Sequence, residues 1–370
     1  MALFRFLFVS ISFSIVFSTC YAQCEDVTLA SITNPGPYSI SILVEGVDDI
    51  RNGPDYEGAT IYYPNNGVPP YAGIAIIPGY CGVETDIQDW GPFYASHGIV
   101  AITLGTNNPC ADWPAVRAVA LLDAIETIKS ENTREGSPLN GKVDVNSFAV
   151  SGWSMGGGGA QLAASIDPSL KAVVGLCPWL DLNGFQDSDL FHNVPVLIFT
   201  GQNDDIASSS EYGYMHYANT PSNTDKLYFE IENGGHGAAN APDMAGGEIG
   251  VYALSWLKTY LLDDPCYCDF LLDNPSNSSA YETNVDCESL ELHSPYVEEM
   301  ILLHPNPASG SILLNLSEIG SLKYEVYDAM GNFVKSGFVS KQLNIIEIEG
   351  LQNGVYSLRV GDRSYRFVKT

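Results

Sequence analysis

Through the first two thirds of the chain, apolar residues fall into short continuous runs that alternate with stretches of helical spacing. Residues 73–78 and 98–104 are uninterrupted apolar runs, as expected for strands covered on both faces of a parallel sheet. Residues 40–44 and 58–63 read as early strands, and 145–151, 170–176, 194–200 and 226–232 as later ones. Between them, 114–129 sets Val116, Val119, Ala120, Leu122, Ile125 and Ile128 at helical spacing, with Pro114 in the first turn. Residues 161–165 lie in a predicted helix and 248–262 in another. Repeated β–α units predict an α/β architecture: a mostly parallel sheet with helices on both faces. The last part differs. Short alternating stretches at 312–316, 323–328, 344–348 and 354–360 are separated by the turns Met330-Gly331-Asn332 and Gln352-Asn353-Gly354, which predicts a small all-β sandwich.

Charge sharpens this division. The chain carries 16 basic and 44 acidic residues, a net −28. Residues 301–370 hold seven basic and six acidic residues, so +7 − 6 = +1, and the acidity lies before them. Such a surface argues against nucleic acid and anionic membranes as partners. At the N-terminus, Arg5, the apolar stretch from Phe6 to Phe17 and the small residues Cys20 and Ala22 predict a secretory signal cleaved after Ala22. No other stretch is long and apolar enough to span a membrane, and a monomer is the default. The predicted organisation is therefore a signal peptide at 1–22 and an α/β domain at 23–265. An acidic, cysteine-containing connector at 266–300, with eight acidic residues and no Lys or Arg, precedes the sandwich at 301–370. Seven cysteines remain after the signal, and export permits disulfides. An odd number leaves a thiol free, which we assign to Cys177 at the end of an apolar strand. Cys81 and Cys110 follow neighbouring strands and are expected to pair, and Cys287 is expected to pair with Cys266 or Cys268. No histidine cluster accompanies them at zinc-site spacing, so neither metal nor cofactor is expected.

The chemistry centres on Gly152-Trp153-Ser154-Met155-Gly156, a G-x-S-x-G pattern between a predicted strand and a predicted helix. That context is what a nucleophile elbow requires: a tight turn lifts the serine hydroxyl off the sheet, and the helix N-terminus favours developing negative charge. The same fold orders its partners serine, acid, histidine. Asp204 follows strand 194–200, with Asp205 as alternate, and His236 follows strand 226–232. His236 is then the general base for Ser154, oriented by Asp204. The oxyanion hole needs the N–H after the nucleophile, Met155, and one from a loop after an early strand, Tyr80. His97, His192, His216, His293 and His304 are read as structural.

These segments resemble the polyester hydrolases: cutinase-like enzymes and polyethylene terephthalate hydrolases of the α/β-hydrolase superfamily. The resemblance rests on Gly152 through Gly159, Pro78-Gly79-Tyr80, Trp90-Gly91-Pro92 with Ala95-Ser96-His97-Gly98, Asp167 through Ala172 with Pro178-Trp179, Asn203 through Ala207, and Gly234-Gly235-His236 with Asn240. It spans residues 55–265 and implies Ser154, Asp204 and His236 as the triad and Tyr80 and Met155 as oxyanion donors. It also implies Trp179 as an aromatic wall, with Tyr80 opposite and Ile206 beside it. Trp153, next to the nucleophile, joins them as a substrate-binding candidate. Two aromatic faces and an aliphatic floor suit a flat aromatic ester. Cys81 after Tyr80 and Gly237 after His236 depart from the family pattern, the latter opening the cleft. The short connection from Trp179 to Val194 leaves no room for a helical lid, so the cleft could reach an extended chain. A general short-chain acyl or acetyl esterase and a non-catalytic binding module of the same fold are the competing readings. Finally, Leu303 through Gly310, Tyr324 through Asp328 with Gly331, and Gly354 through Leu358 look like the type IX secretion sorting domain of Bacteroidetes. That resemblance implies the type IX secretion machinery as a partner, and passage through the periplasm to the outside of the cell with removal of the domain.

Overall fold

The computed structural model describes residues 24, 27–33, 35–180 and 190–288, and towards the C-terminus 303–304, 306–314, 321–329, 332–340, 345–360 and 363–370. The predicted signal at 1–22, His293 and most of the connection from Trp179 to Val194 lie outside these residues. The chain forms two compact units that divide between Leu290 and Glu291.

The first unit is built on nine strands. They are β1 (Ile40–Val44), β2 (Ala59–Pro64), β3 (Tyr71–Ile77), β4 (Val100–Leu104), β5 (Val143–Trp153), β6 (Ala172–Leu176), β7 (Val196–Gly201), β8 (Lys226–Ile231) and β9 (Ser278–Thr283). Their spatial order is β1-β2-β4-β3-β5-β6-β7-β8-β9. The run from β4 to β8 is parallel throughout, while β1, β2 and β9 join it by antiparallel pairing. Among the described residues six helices cover the sheet: α1 (Leu29–Thr33), α2 (Trp90–Ser96), α3 (Pro114–Glu131), α4 (Met155–Ile166), α5 (Tyr214–Asn219) and α6 (Glu248–Leu261). Because side chains alternate across a strand, β3 sends Ile74 and Ile76 to one core, with Trp90 of α2 and Trp256 of α6. It sends Ala75 and Ile77 to the other, with Leu121 of α3 and Ala160 of α4. The continuous apolar runs of the sequence are thus buried on both faces. No described helix is long and apolar enough to cross a membrane.

Within the expected connector, residues 266–288 fold onto the first unit. They close a 3-10 turn at Pro265–Leu271 and supply β9, which pairs with β8 at the sheet edge. Strand β9 escaped the hydrophobic pattern because it is held by backbone pairing at an edge and buries no continuous face. Disulfides join Cys24 to Cys266, Cys81 to Cys110 and Cys268 to Cys287, and Cys177 is a buried free thiol. The open choice for Cys287 therefore resolves to Cys268.

The second unit has two antiparallel sheets. One contains β10 (Leu303–His304), β11 (Ser311–Leu314) and β14 (Ile345–Glu347). The other contains β12 (Ser321–Asp328), β13 (Phe333–Ser340), β15 (Gly354–Val360) and β16 (Arg363–Lys369). Ile312 and Ile346 from the first share a core with Val326, Leu358 and Phe367 from the second, which makes the expected sandwich.

Candidate active site

Ser154 occupies the turn between β5 and α4 with φ 56° and ψ −121°, a positive φ that is costly for a residue with a side chain. The turn is tight because its two glycines face each other. A Cβ on Gly152 would lie 2.3 Å from the Gly156 backbone, and one on Gly156 would lie 2.4 Å from the Ile77 carbonyl oxygen. The backbone around the serine is tied on both sides. The Ser154 N–H donates to the Leu176 carbonyl (2.9 Å), and the Ser154 carbonyl accepts from the N–H groups of Gly158 (3.1 Å) and Trp179 (2.9 Å).

The structure brings Ser154, Asp204 and His236 together from the ends of β5, β7 and β8. His236 Nδ1 lies 2.8 Å from Asp204 Oδ2, and His236 Nε2 lies 2.9 Å from Ser154 Oγ. The carboxylate can only accept, so it fixes the Nδ1–H tautomer and leaves Nε2 to accept the serine proton. The other carboxylate oxygen, Asp204 Oδ1, accepts from the N–H groups of Ile206 (2.9 Å) and Ala207 (2.8 Å). Asp204 is thus held at both oxygens with a fully buried side chain. The acid and base loops are fastened directly. The Asn203 N–H donates to the Gly234 carbonyl at 2.7 Å, and a Cβ on Gly201 would fall 2.5 Å from the Gly235 carbonyl oxygen.

Tyr80 follows Gly79, where an added Cβ would stand 2.7 Å from Ser154 Cβ. Among the described residues no protein group accepts the Tyr80 N–H. Met155 is the first residue of α4, where a backbone N–H has no partner within the helix. Both candidate donors therefore flank the serine with unspent N–H groups.

The substrate candidates separate into two kinds. Tyr80 and Ile206 are exposed, and Trp179, tied to Ser154 through its main chain, is half-buried. The Trp179 ring stacks on Tyr212 (centroids 5.8 Å apart, planes at 24°) and leans on Trp113 (5.7 Å). Trp153 instead points its indole N–H inward, donating to the His236 carbonyl at 2.8 Å, so it tethers the histidine loop. Sequence reading missed Trp113, Tyr212 and the glycine contact at Gly201. None stands in a motif, and Trp113 and Tyr212 come from elements distant in sequence from Trp179. The structural histidines behave as expected where they are described. His97 is buried, and burial lowers the pKa of His192 to about 4 and that of His216 to about 3. His192 Nε2 sits 2.9 Å from Gln161 Oε1.

A parallel sheet with a serine on a strained strand-to-helix turn defines an α/β-hydrolase, and similarity to known proteins makes it a carboxylic ester hydrolase. The sequence model of the PET hydrolase-like family matches residues 17–288, and the chain belongs to that family. Cutinase est1 of Thermobifida alba is 37% identical over 241 residues, covering 65% of this chain and 76% of the relative. A cutinase of Thermobifida fusca is 37% identical over 240 residues, covering 65% and 75%. A bis(hydroxyethyl) terephthalate hydrolase of Streptomyces coelicolor is 33% identical over 255 residues, covering 67% and 75%. Residues 302–370 match a secretion system C-terminal sorting domain, so the enzyme is destined for the cell surface or beyond.

Proposed function

We propose that the enzyme hydrolyses polyesters such as polyethylene terephthalate and cutin-like esters through an acyl-enzyme on Ser154. The observation that carries this is the unbroken chain Asp204–His236–Ser154, with contacts of 2.8 and 2.9 Å. In acylation, Ser154 Oγ attacks the ester carbonyl carbon while His236 Nε2 takes its proton. The Tyr80 and Met155 N–H groups stabilise the oxyanion, and the C–O bond breaks as His236 returns the proton to the leaving alcohol. Water, deprotonated by His236, then repeats the attack and releases the acid. The net reaction consumes one water per ester.

The polymer reading is supported by the rim of the site. Tyr80 is 56% exposed, Ile206 61% and Trp113 51%, and Val116 and Val119, in the first turns of the helix that follows Trp113, are exposed apolar residues too. Exposed apolar side chains gathered round a cleft suit an uncharged, extended substrate better than a small polar one. A Cβ on Gly237 would meet only Asn240 Nδ2, at 3.8 Å, which leaves open space at the histidine. We also propose that the leader is removed after Ala22 and that the sorting domain hands the enzyme to the type IX machinery.

The deciding measurement is release of soluble acids from an aromatic polyester film, and of p-nitrophenol from a short p-nitrophenyl ester, by mature enzyme and by Ser154→Ala. Cleavage of both by the wild type and neither by the variant is expected. Cleavage of the short ester alone would reduce the enzyme to a general esterase. A fully active Ser154→Ala would remove the serine mechanism.

A further inference from the structure

A cation lies beneath the oxyanion loop, completely buried and without an ion-pair partner. Arg117, on the inner face of α3, is 0% exposed, and among the described residues no carboxylate stands within ion-pair distance of it. Burial lowers its pKa to about 10, against a small opposing effect of Asp112. A guanidinium is among the least favourable groups to bury, so its hydrogen bonds indicate what it does. Its Nη1 donates to the Pro78 carbonyl at 2.9 Å, and its Nη2 donates to the Pro109 carbonyl at 2.8 Å. Pro78 is two residues before Tyr80. The Pro109 carbonyl also accepts the Cys81 N–H at 2.8 Å, and Cys81 is bonded to Cys110. On its other side Arg117 packs on α4: a Cβ at Gly159 would lie 2.9 Å from Arg117 Cβ.

We propose that Arg117 is a positioning residue for the oxyanion hole, its guanidinium bracing the 78–81 segment against 109–110 so that the Tyr80 N–H is held in register with Met155 across Ser154. The proposal rests on the reading of Tyr80 and Met155 as oxyanion donors. It follows from connectivity. Pro78, Gly79 and Tyr80 form one short turn, and Gly79 already touches Ser154, so a shift of the Pro78 carbonyl moves the Tyr80 amide relative to the nucleophile. The rigid fork of a guanidinium spans two carbonyls on separate segments, whereas an ammonium is a point donor on a flexible stem. The contact with Gly159 sets the base of the fork against the helix that carries the second donor.

The test uses Arg117→Lys and Arg117→Met in the full mature enzyme. The Met variant removes the buried charge and so is the safer one to fold. Active sites are counted with a p-nitrophenyl phosphonate that reacts with Ser154, and kcat is expressed per titrated site on a short p-nitrophenyl ester. Removing one oxyanion donor outright costs about 10²–10³ in kcat, so misplacing one is expected to cost about ten- to a hundredfold in both variants. KM should stay within about twofold, and a boronic acid mimic of the tetrahedral intermediate should bind more weakly in proportion to the loss in kcat. A kcat per titrated site equal to wild type in either variant, with only yield or Tm reduced, overturns the proposal. Equal losses in kcat with undiminished boronate binding would also overturn it. Ser154→Ala runs alongside: if that variant remains active, it is the serine mechanism that fails, whatever the Arg117 variants do.

Discussion

The floor and the rim of the cleft are built on opposite plans. On the floor, Ser154 and Asp204 are each 5% exposed, and Ser154, Asp204 and His236 are each fixed by at least two backbone or side-chain contacts. On the rim, Tyr80, Trp113 and Ile206 stand in solvent, and the Trp179 ring rests on the rings of Tyr212 and Trp113. The difference teaches where chemistry and selectivity reside. Under the proposed mechanism, a change on the floor is expected to alter the transition state for any ester, and a change on the rim to alter which ester reaches it.

This contrast can be broken from either side. The largest effect is expected from Asp204→Asn, which keeps the shape but no longer fixes the Nδ1–H tautomer. It should lower kcat about 10⁴-fold on polyester film and p-nitrophenyl ester alike, measured by steady-state kinetics. A much smaller loss on one of the two substrates would mean the acid is not part of a common machinery. Next comes Gly152→Ala, whose new methyl group meets the Gly156 backbone at 2.3 Å. Overpacking against main chain should destabilise by about 3 kcal/mol or more and abolish the elbow, read by thermal melting and active-site titration. On the rim, Trp179→Ala should cut film hydrolysis by roughly tenfold or more and leave a short acetyl ester within about threefold. Equal losses on both substrates would place Trp179 with the floor.

The smallest effect concerns neither region and serves as a control for pH profiles. His192 and His216 are held neutral by burial, with pKa values of about 4 and about 3. Unfolding exposes them to protonation near pH 6.5. Their depressed pKa values contribute stability that is complete above that pH and is lost as pH falls through about 4 and then about 3. Tm should therefore fall on acidification below pH 6.5. His216→Leu, which cannot take up the proton, should flatten that acid limb by a few degrees at pH 4.5.

The legibility of the molecule followed the same physics. Strands β3, β4, β6 and β7 are buried at every position, and burial on both faces is what leaves the continuous apolar runs seen at 73–78 and 98–104. That Ser154, Asp204 and His236 would meet was readable because a parallel sheet presents its loops at one end and in a fixed chain order. What escaped was whatever depends on backbone contacts or on partners remote in sequence. Strand β9 buries no face, β13 exposes much of its length, and neither carries the alternation that marks a half-buried strand. Trp113 directly precedes a helix in the sequence, and only folding sets it 5.7 Å from Trp179. Arg117 is one polar position within that helix, and nothing in its neighbours announces two carbonyls waiting beneath another loop.

The bond from Cys24 to Cys266 spans 242 residues and encloses almost the whole catalytic unit in one covalent ring. A protease that cuts any surface loop inside that ring does not release a fragment; the two new ends stay on the same molecule. Outside the cell, where peptidases are abundant and no chaperone will refold a damaged chain, a nicked enzyme of this design keeps Ser154, Asp204 and His236 on one covalent body.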